Sequence, residues 1–158
     1  MNQTHIHLLI NHLPLFGSIL GGIVLAHALW TRNHQTKIAA YFVLILAALG
    51  AGAAYLTGEA AEDTVERIPG ISKPMIHEHE DAALFALISS IVLGVMALAG
   101  LFLALRKAAL TRTVALITLV IALFSFVVVA RTAYLGGQIR HTEISNPGPP
   151  ANGNQDDD

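Results

Sequence analysis

The side chains in this 158-residue sequence best suited to chemistry are its eight histidines, and no cysteine accompanies them. Without thiols, disulfides, iron–sulfur clusters, thiolate metal sites and covalent haem attachment are excluded, so any metal or cofactor must be held by nitrogen or oxygen. Imidazole is the commonest metal ligand and changes charge near neutrality. His5, His7 and His12 lie near the start, His77 and His79 in the middle and His141 near the end, while His27 and His34 stand apart. These first six are candidate ligands for copper or zinc, and two imidazoles drawn from His7, His12, His79 and His141 would serve as axial ligands of a b-type haem. Arg131, in VVVARTAYLGG, either neutralises an anion such as a haem propionate or reaches from a helix end to the interface. Glu59, Glu62, Asp63 and Glu66 recur at the 3, 4, 7 spacing of one helical face. That stripe reads as a solvated face, a dock for a basic partner, or a source of carboxylate ligands. Ser89 and Ser90 have no base beside them and no phosphate-binding glycine loop is present, so no hydrolytic or transferase motif stands out. A redox role stays open.

Residues so far apart in sequence act together only if the fold gathers them. The chain is 54% hydrophobic and 13% charged with a mean hydropathy of +0.59, which points to lipid as its solvent. A bilayer core of about 30 Å needs roughly 20 apolar residues per helix. Four stretches satisfy this, near 13–31, 37–57, 82–105 and 113–135. Asn11 is placed to cap the first of them, with Pro14 marking a start or a kink. Gly17, Gly21, Gly50, Gly52, Gly94 and Gly100 predict close helix packing. The expected fold is all-α: an integral membrane four-helix bundle, up-down-up-down, formed by residues 1–144. Residues 145–158, rich in Pro, Gly, Asn and Asp, read as a disordered acidic tail. The start of the sequence has no Lys or Arg before its first apolar segment, so that segment is expected to be retained.

Charge sets the expected orientation. The connections after spans one and three carry Arg32, Lys37, Arg106, Lys107 and Arg112 and no acid, whereas all eleven acids fall on the opposite side. By the positive-inside rule that cationic face is cytoplasmic and both termini lie outside, in a bacterial inner membrane. The outer face then collects the six grouped histidines. On a regular helix at about 100° per residue, His5 and His12 nearly share a face and His7 points about 140° from His12.

At these residues the chain resembles a family. His7-Leu-Leu-Ile-Asn-His12-Leu-Pro14 is similar to the opening of the bacterial domain of unknown function 2231 family, and Tyr134-Leu-Gly136-Gly137-Gln-Ile-Arg-His141 is similar to its closing glycine pair and histidine. His79 looks like the family's middle histidine, with His77 as the competitor. Leu8 stands where the family often has proline. The resemblance covers roughly residues 5–144 and implies a small four-span membrane protein. It also implies, by the association of members with cytochrome-like domains, electron transfer.

Three functions follow as expectations. The first is a haem b or redox-metal site at the outer end, exchanging electrons with a periplasmic cytochrome or a quinone, as a homo-oligomer or in a larger membrane complex. The second is proton or ion transport, against which stands the absence of charge in the central turns of spans two and three. The third is a cofactor-free structural or assembly subunit. Nothing in the charge balance of -2 suggests nucleic acid.

Overall fold

The computed structural model describes residues 7, 9–65 and 73–140, the side chains of 59–65 and 139–140 excepted. His5, Glu66, His141, Glu143 and the tail at 145–158 lie outside the described residues. Four helices follow in order: α1 (His12–Trp30), α2 (His34–Val65), α3 (Lys73–Leu105) and α4 (Thr111–Arg140). All four are long and apolar enough to cross a bilayer, the arrangement of a multi-pass membrane protein.

Each helix packs on its sequence neighbours, and α4 closes the ring against α1. Neighbours run antiparallel: Gly17 faces Ala47 while Gly50 faces Leu13, and His79 meets Thr132 while Ser89 meets Ser125. The bundle is therefore up-down-up-down, and residues 7 and 140 lie at one end.

The packing is that of a protein in lipid. Its centre is built from small side chains, Ala28, Ala40, Ala47, Ala97, Ala104, Ala115 and Ala122, around Leu25, Tyr41, Leu44 and Leu93. Leu20, Ile23, Phe42, Leu46, Leu98, Phe102 and Val127 face outward. Lipid tails are as apolar as leucine, so no hydrophobic force draws large residues inward, and close backbone approach decides which residues meet. Gly100 lies directly under the Tyr41 ring, and a Cβ on Gly17 would stand 2.6 Å from that of Ala47. Gly52, also expected at a contact, has nothing within 4 Å of its Cβ position.

The two short connections at the other end are built alike. Arg32 (φ 53°) and Lys107 (φ 51°) are the only non-glycine residues at positive φ among those described. Each follows a helix whose third-last carbonyl accepts from the amide after it: Asn33 N to Ala28 O (3.1 Å) and Ala108 N to Leu103 O (3.0 Å). This is the Schellman ending that usually takes glycine. A cation there costs backbone strain but complements the helix C-terminal dipole. Trp30, 84% exposed, marks the same end as an interfacial aromatic.

The start of the bundle differs from the capped entry expected at Asn11. A helical turn begins at His7, and the Asn11 amide donates to the His7 carbonyl (2.9 Å). Asn11 is itself α-helical (φ -60°, ψ -21°) and its side chain makes no cap bond. Proline at 14 has no N–H to offer the carbonyl at position 10, which explains the irregularity at Asn11. At 1.5 Å per residue α3 is about 50 Å long against a 30 Å hydrocarbon core, and α2 and α4 are nearly as long, so these three helices outrun the bilayer. The tight connections 31–33 and 106–110 close the cationic end, and the excess length falls at the histidine end.

Candidate functional site

His7 and His79 are the two imidazoles that the described structure turns into the bundle. Continuity of the helical turn at His7 with α1 fixes the face it presents. Its Nδ1 lies 2.9 Å from the Ala54 carbonyl and 3.2 Å from Thr57 Oγ1 on α2. The Thr57 hydroxyl donates its own proton back to Ala53 O at 2.8 Å, leaving its oxygen to accept. His79, six residues into α3, sets its Nδ1 3.1 Å from the Thr132 carbonyl on α4. Thr132 reciprocates by donating its hydroxyl to Ala82 O (3.0 Å), so two hydrogen bonds stitch α3 to α4 at this level.

A backbone carbonyl only accepts, which forces the proton of each neutral ring onto Nδ1. Both Nε2 atoms then carry a lone pair, and no described residue hydrogen-bonds either of them. Each ring also rests on a glycine one turn beyond its carbonyl partner. A Cβ on Gly58 would stand 3.2 Å from His7 Cε1, and one on Gly136 would stand 2.9 Å from His79 Cε1. Burial holds the His79 imidazole below the usual histidine range, and the nearby His7 ring adds to this. One turn after His7, on the same face, the buried Oδ1 of Asn11 has no partner among the described residues. The site thus offers acceptors, two imidazole nitrogens and an amide oxygen, and no described cation stands against them.

The remaining candidates lie elsewhere. His12 is exposed and stacks on Phe16, ring centroids 6.2 Å apart. His77, 68% exposed, points away from the bundle with its Nδ1 3.1 Å from Glu80 Oε2. Arg131 is exposed on α4. Glu59, Glu62 and Asp63 fall on the last turns of α2, beyond the apolar span that ends at Gly58. His27 packs edge-on against Trp30 at the cationic end, far from the pair. Among the described residues no three of His, Asp or Glu come together as metal ligands.

Thr57, Gly58, Thr132 and Asn11 were not anticipated as site residues, and Gly136 only as part of a motif. A small residue four positions after the accepting carbonyl, as in Ala54–Gly58 and Thr132–Gly136, is the signal that marks a seat for a ring. Comparison of the chain with protein-family models, with curated proteins and with solved structures gives no match.

Proposed function

We propose that this is a protein of the bacterial cytoplasmic membrane whose outer end holds a b-type haem between His7 and His79 and exchanges electrons with a periplasmic carrier or a membrane quinone. The carrying observation is that both Nδ1–H groups are committed to backbone carbonyls, which leaves both Nε2 lone pairs for iron. Ligating imidazoles are commonly oriented this way, the bond at Nδ1 fixing the ring and raising the basicity of the other nitrogen. His7 and His79 would suffice to hold a haem iron, whereas copper or zinc would need further ligands. Those would have to come from beyond the described side chains, from His5, His141 or the carboxylates Glu59, Glu62, Asp63 and Glu66, so the metal-only reading requires more of the chain than the haem reading does.

A bound haem would supply a one-electron couple. The chain's own part is to hold both rings in one tautomer and to place them just beyond the hydrocarbon core. His79 stands 26 residues from the end of α3, about 39 Å along the helix, against a core of about 30 Å. The sidedness rests on the five cations of the opposite end. Kinship with the domain of unknown function 2231 family rests on the short motifs at residues 7–14 and 134–141.

Transport fits less well. Buried hydroxyls do line the interior, with Ser89 and Ser90 each 3.4 Å from Ser125. Ten residues of α3 nevertheless separate His79 from Ser89, and ten more separate Ser90 from Gly100, where Tyr41 sits. Each interval is about 15 Å, far beyond a hydrogen bond. The lower one holds a single buried hydroxyl among the described residues, Thr118, about 10 Å along α4 from Ser125 and bonded to its own helix at Val114 O, with Leu93 and Ala97 packed around it.

The test is the absorption spectrum of protein purified in detergent. A Soret band that shifts on dithionite reduction is expected. Copper or zinc without that band would favour the metal-only site, and colourless, metal-free protein would overturn both.

A further inference from the structure

We infer that the chain is two copies of one helical hairpin, residues 7–58 and 79–136, and that the histidine site lies on the pseudo-two-fold axis between them. Each copy would give that site one ligating imidazole, one accepting carbonyl and one glycine seat.

The registers carry this. A shift of 72 positions takes His7 to His79 and also His5-Ile6-His7 to His77-Glu78-His79. The same shift takes every buried residue of α1, Pro14, Ser18, Gly21, Gly22, Leu25 and Ala28, onto a buried residue of α3. At the connection the shift is 75, from Arg32 to Lys107, the two cations at positive φ in matching Schellman endings. Along the second arm it is 78, which takes Ala54 to Thr132, the two carbonyls that hold the rings, and Gly58 to Gly136, the two seats. Buried Ala40, Leu44, Ala47 and Ala51 pass by that shift onto buried Thr118, Ala122, Ser125 and Val129.

The shift thus grows by three residues on each side of the connection. Each arm of the second hairpin is longer by nearly one turn at its cationic end, and because the arms are antiparallel an equal extension leaves the histidine ends level. A rotation taking α1 to α3 and α2 to α4 also takes the α2–α3 contact to the α4–α1 contact, both of which exist. Both hairpins run in the same direction, so the axis lies along the bundle. Parallel repeats about the membrane normal are a known way of building membrane proteins around a shared site.

This deepens the haem reading and rests on it for the ligand. A ligand on such an axis meets two equivalent lone pairs from opposite sides, which is what a planar iron tetrapyrrole with two open axial positions requires. It assigns the axial pair as His7 with His79 and excludes His12, whose counterpart is Leu84.

The test uses the full chain in detergent with haemin as the probe. Wild type is expected to give a six-coordinate, low-spin spectrum at one haemin per chain. His7→Ala and His79→Ala should each convert it to a five-coordinate, high-spin one to the same extent, with His12→Ala and His77→Ala unchanged. Loss of signal in only one of the first two, or in His12→Ala, would overturn the symmetric site. A second arm reads the haemin-free protein by histidine nitrogen NMR at pH 8. It should find both His7 and His79 in the Nδ1–H tautomer, and unlike tautomers at these two would overturn the equivalence of the hairpins. Failure of wild type to take up haemin with matched tautomers would remove the haem and leave the axis standing.

Discussion

Adjacent glycines at the end of α4 separate the demands of helix propensity from those of the histidine site. A Cβ added at Gly136 would stand 2.9 Å from Cε1 of His79 and 3.3 Å from its Nδ1, whereas nothing lies within 4 Å of the same atom at Gly137. Ordinary contact begins near 3.4 Å, so Gly136→Ala must push the ring away by about 0.5 Å. The His79–Thr132 bond, now 3.1 Å, then stretches to about 3.6 Å, past the useful limit. Losing it with its partners still buried costs about 1–3 kcal/mol. Both substitutions gain about 1 kcal/mol of helix propensity. Gly137→Ala should therefore stabilise by about 1 kcal/mol, and Gly136→Ala should fall below it by about 1–3 kcal/mol. At about 2–4 °C per kcal/mol for a chain of this size, thermal unfolding in one detergent resolves the pair. Gly58→Ala, whose nearest atom is at 3.2 Å, should lie between them. Equal unfolding temperatures for the two α4 variants, with the His79 nitrogen shifts unmoved, would refute the seat.

Other expectations test the rest of the fold. Tyr41 is fully buried and its hydroxyl has no partner among the described residues, so Tyr41→Phe should raise thermal stability by about 1 kcal/mol. Arg32→Gly and Lys107→Gly relieve residues held at φ 53° and 51°, and each should stabilise by about 1 kcal/mol in detergent unfolding. The chain has no cysteine, so single cysteines at Asn33 and Ala109 can report sidedness. A membrane-impermeant maleimide should label both in inverted vesicles and neither in intact cells. Labelling from outside would reverse the orientation.

The span count and bundle topology were legible because lipid imposes a length and a polarity that composition shows directly. The helix ends were less so. Apolar windows end at 57 and begin again at 82, but the backbone stays helical to Val65 and from Lys73, since charged residues outside the bilayer keep their helical bonds without needing to be apolar. Which histidines face inward was not readable from type or count. His7 is inward and His12 outward because the helix extends back through Asn11, which makes the 140° between them physical. His79 is inward and His77 outward by the rotation of α3 against α4, fixed by Thr132 and Gly136. The hairpin repeat hid for a related reason. Identity is concentrated in the first arm, where Leu15, Ser18, Ile19, Gly22 and Leu29 recur with His-x-His at a shift of 72, while the second arm keeps only Gly58 as Gly136 and the shift changes by three residues at each side of the connection, so the likeness lives mainly in which positions are buried.

The central claim is that imidazoles from the two hairpins meet at one end of the bundle. The direct measurement is cross-linking of His7→Cys/His79→Cys in the otherwise cysteine-free chain with a short bismaleimide, read by intact mass. One linker per monomeric chain is expected for that pair and separate, unlinked adducts for His12→Cys/His79→Cys. Linking at the second pair, or none at the first, would contradict the account.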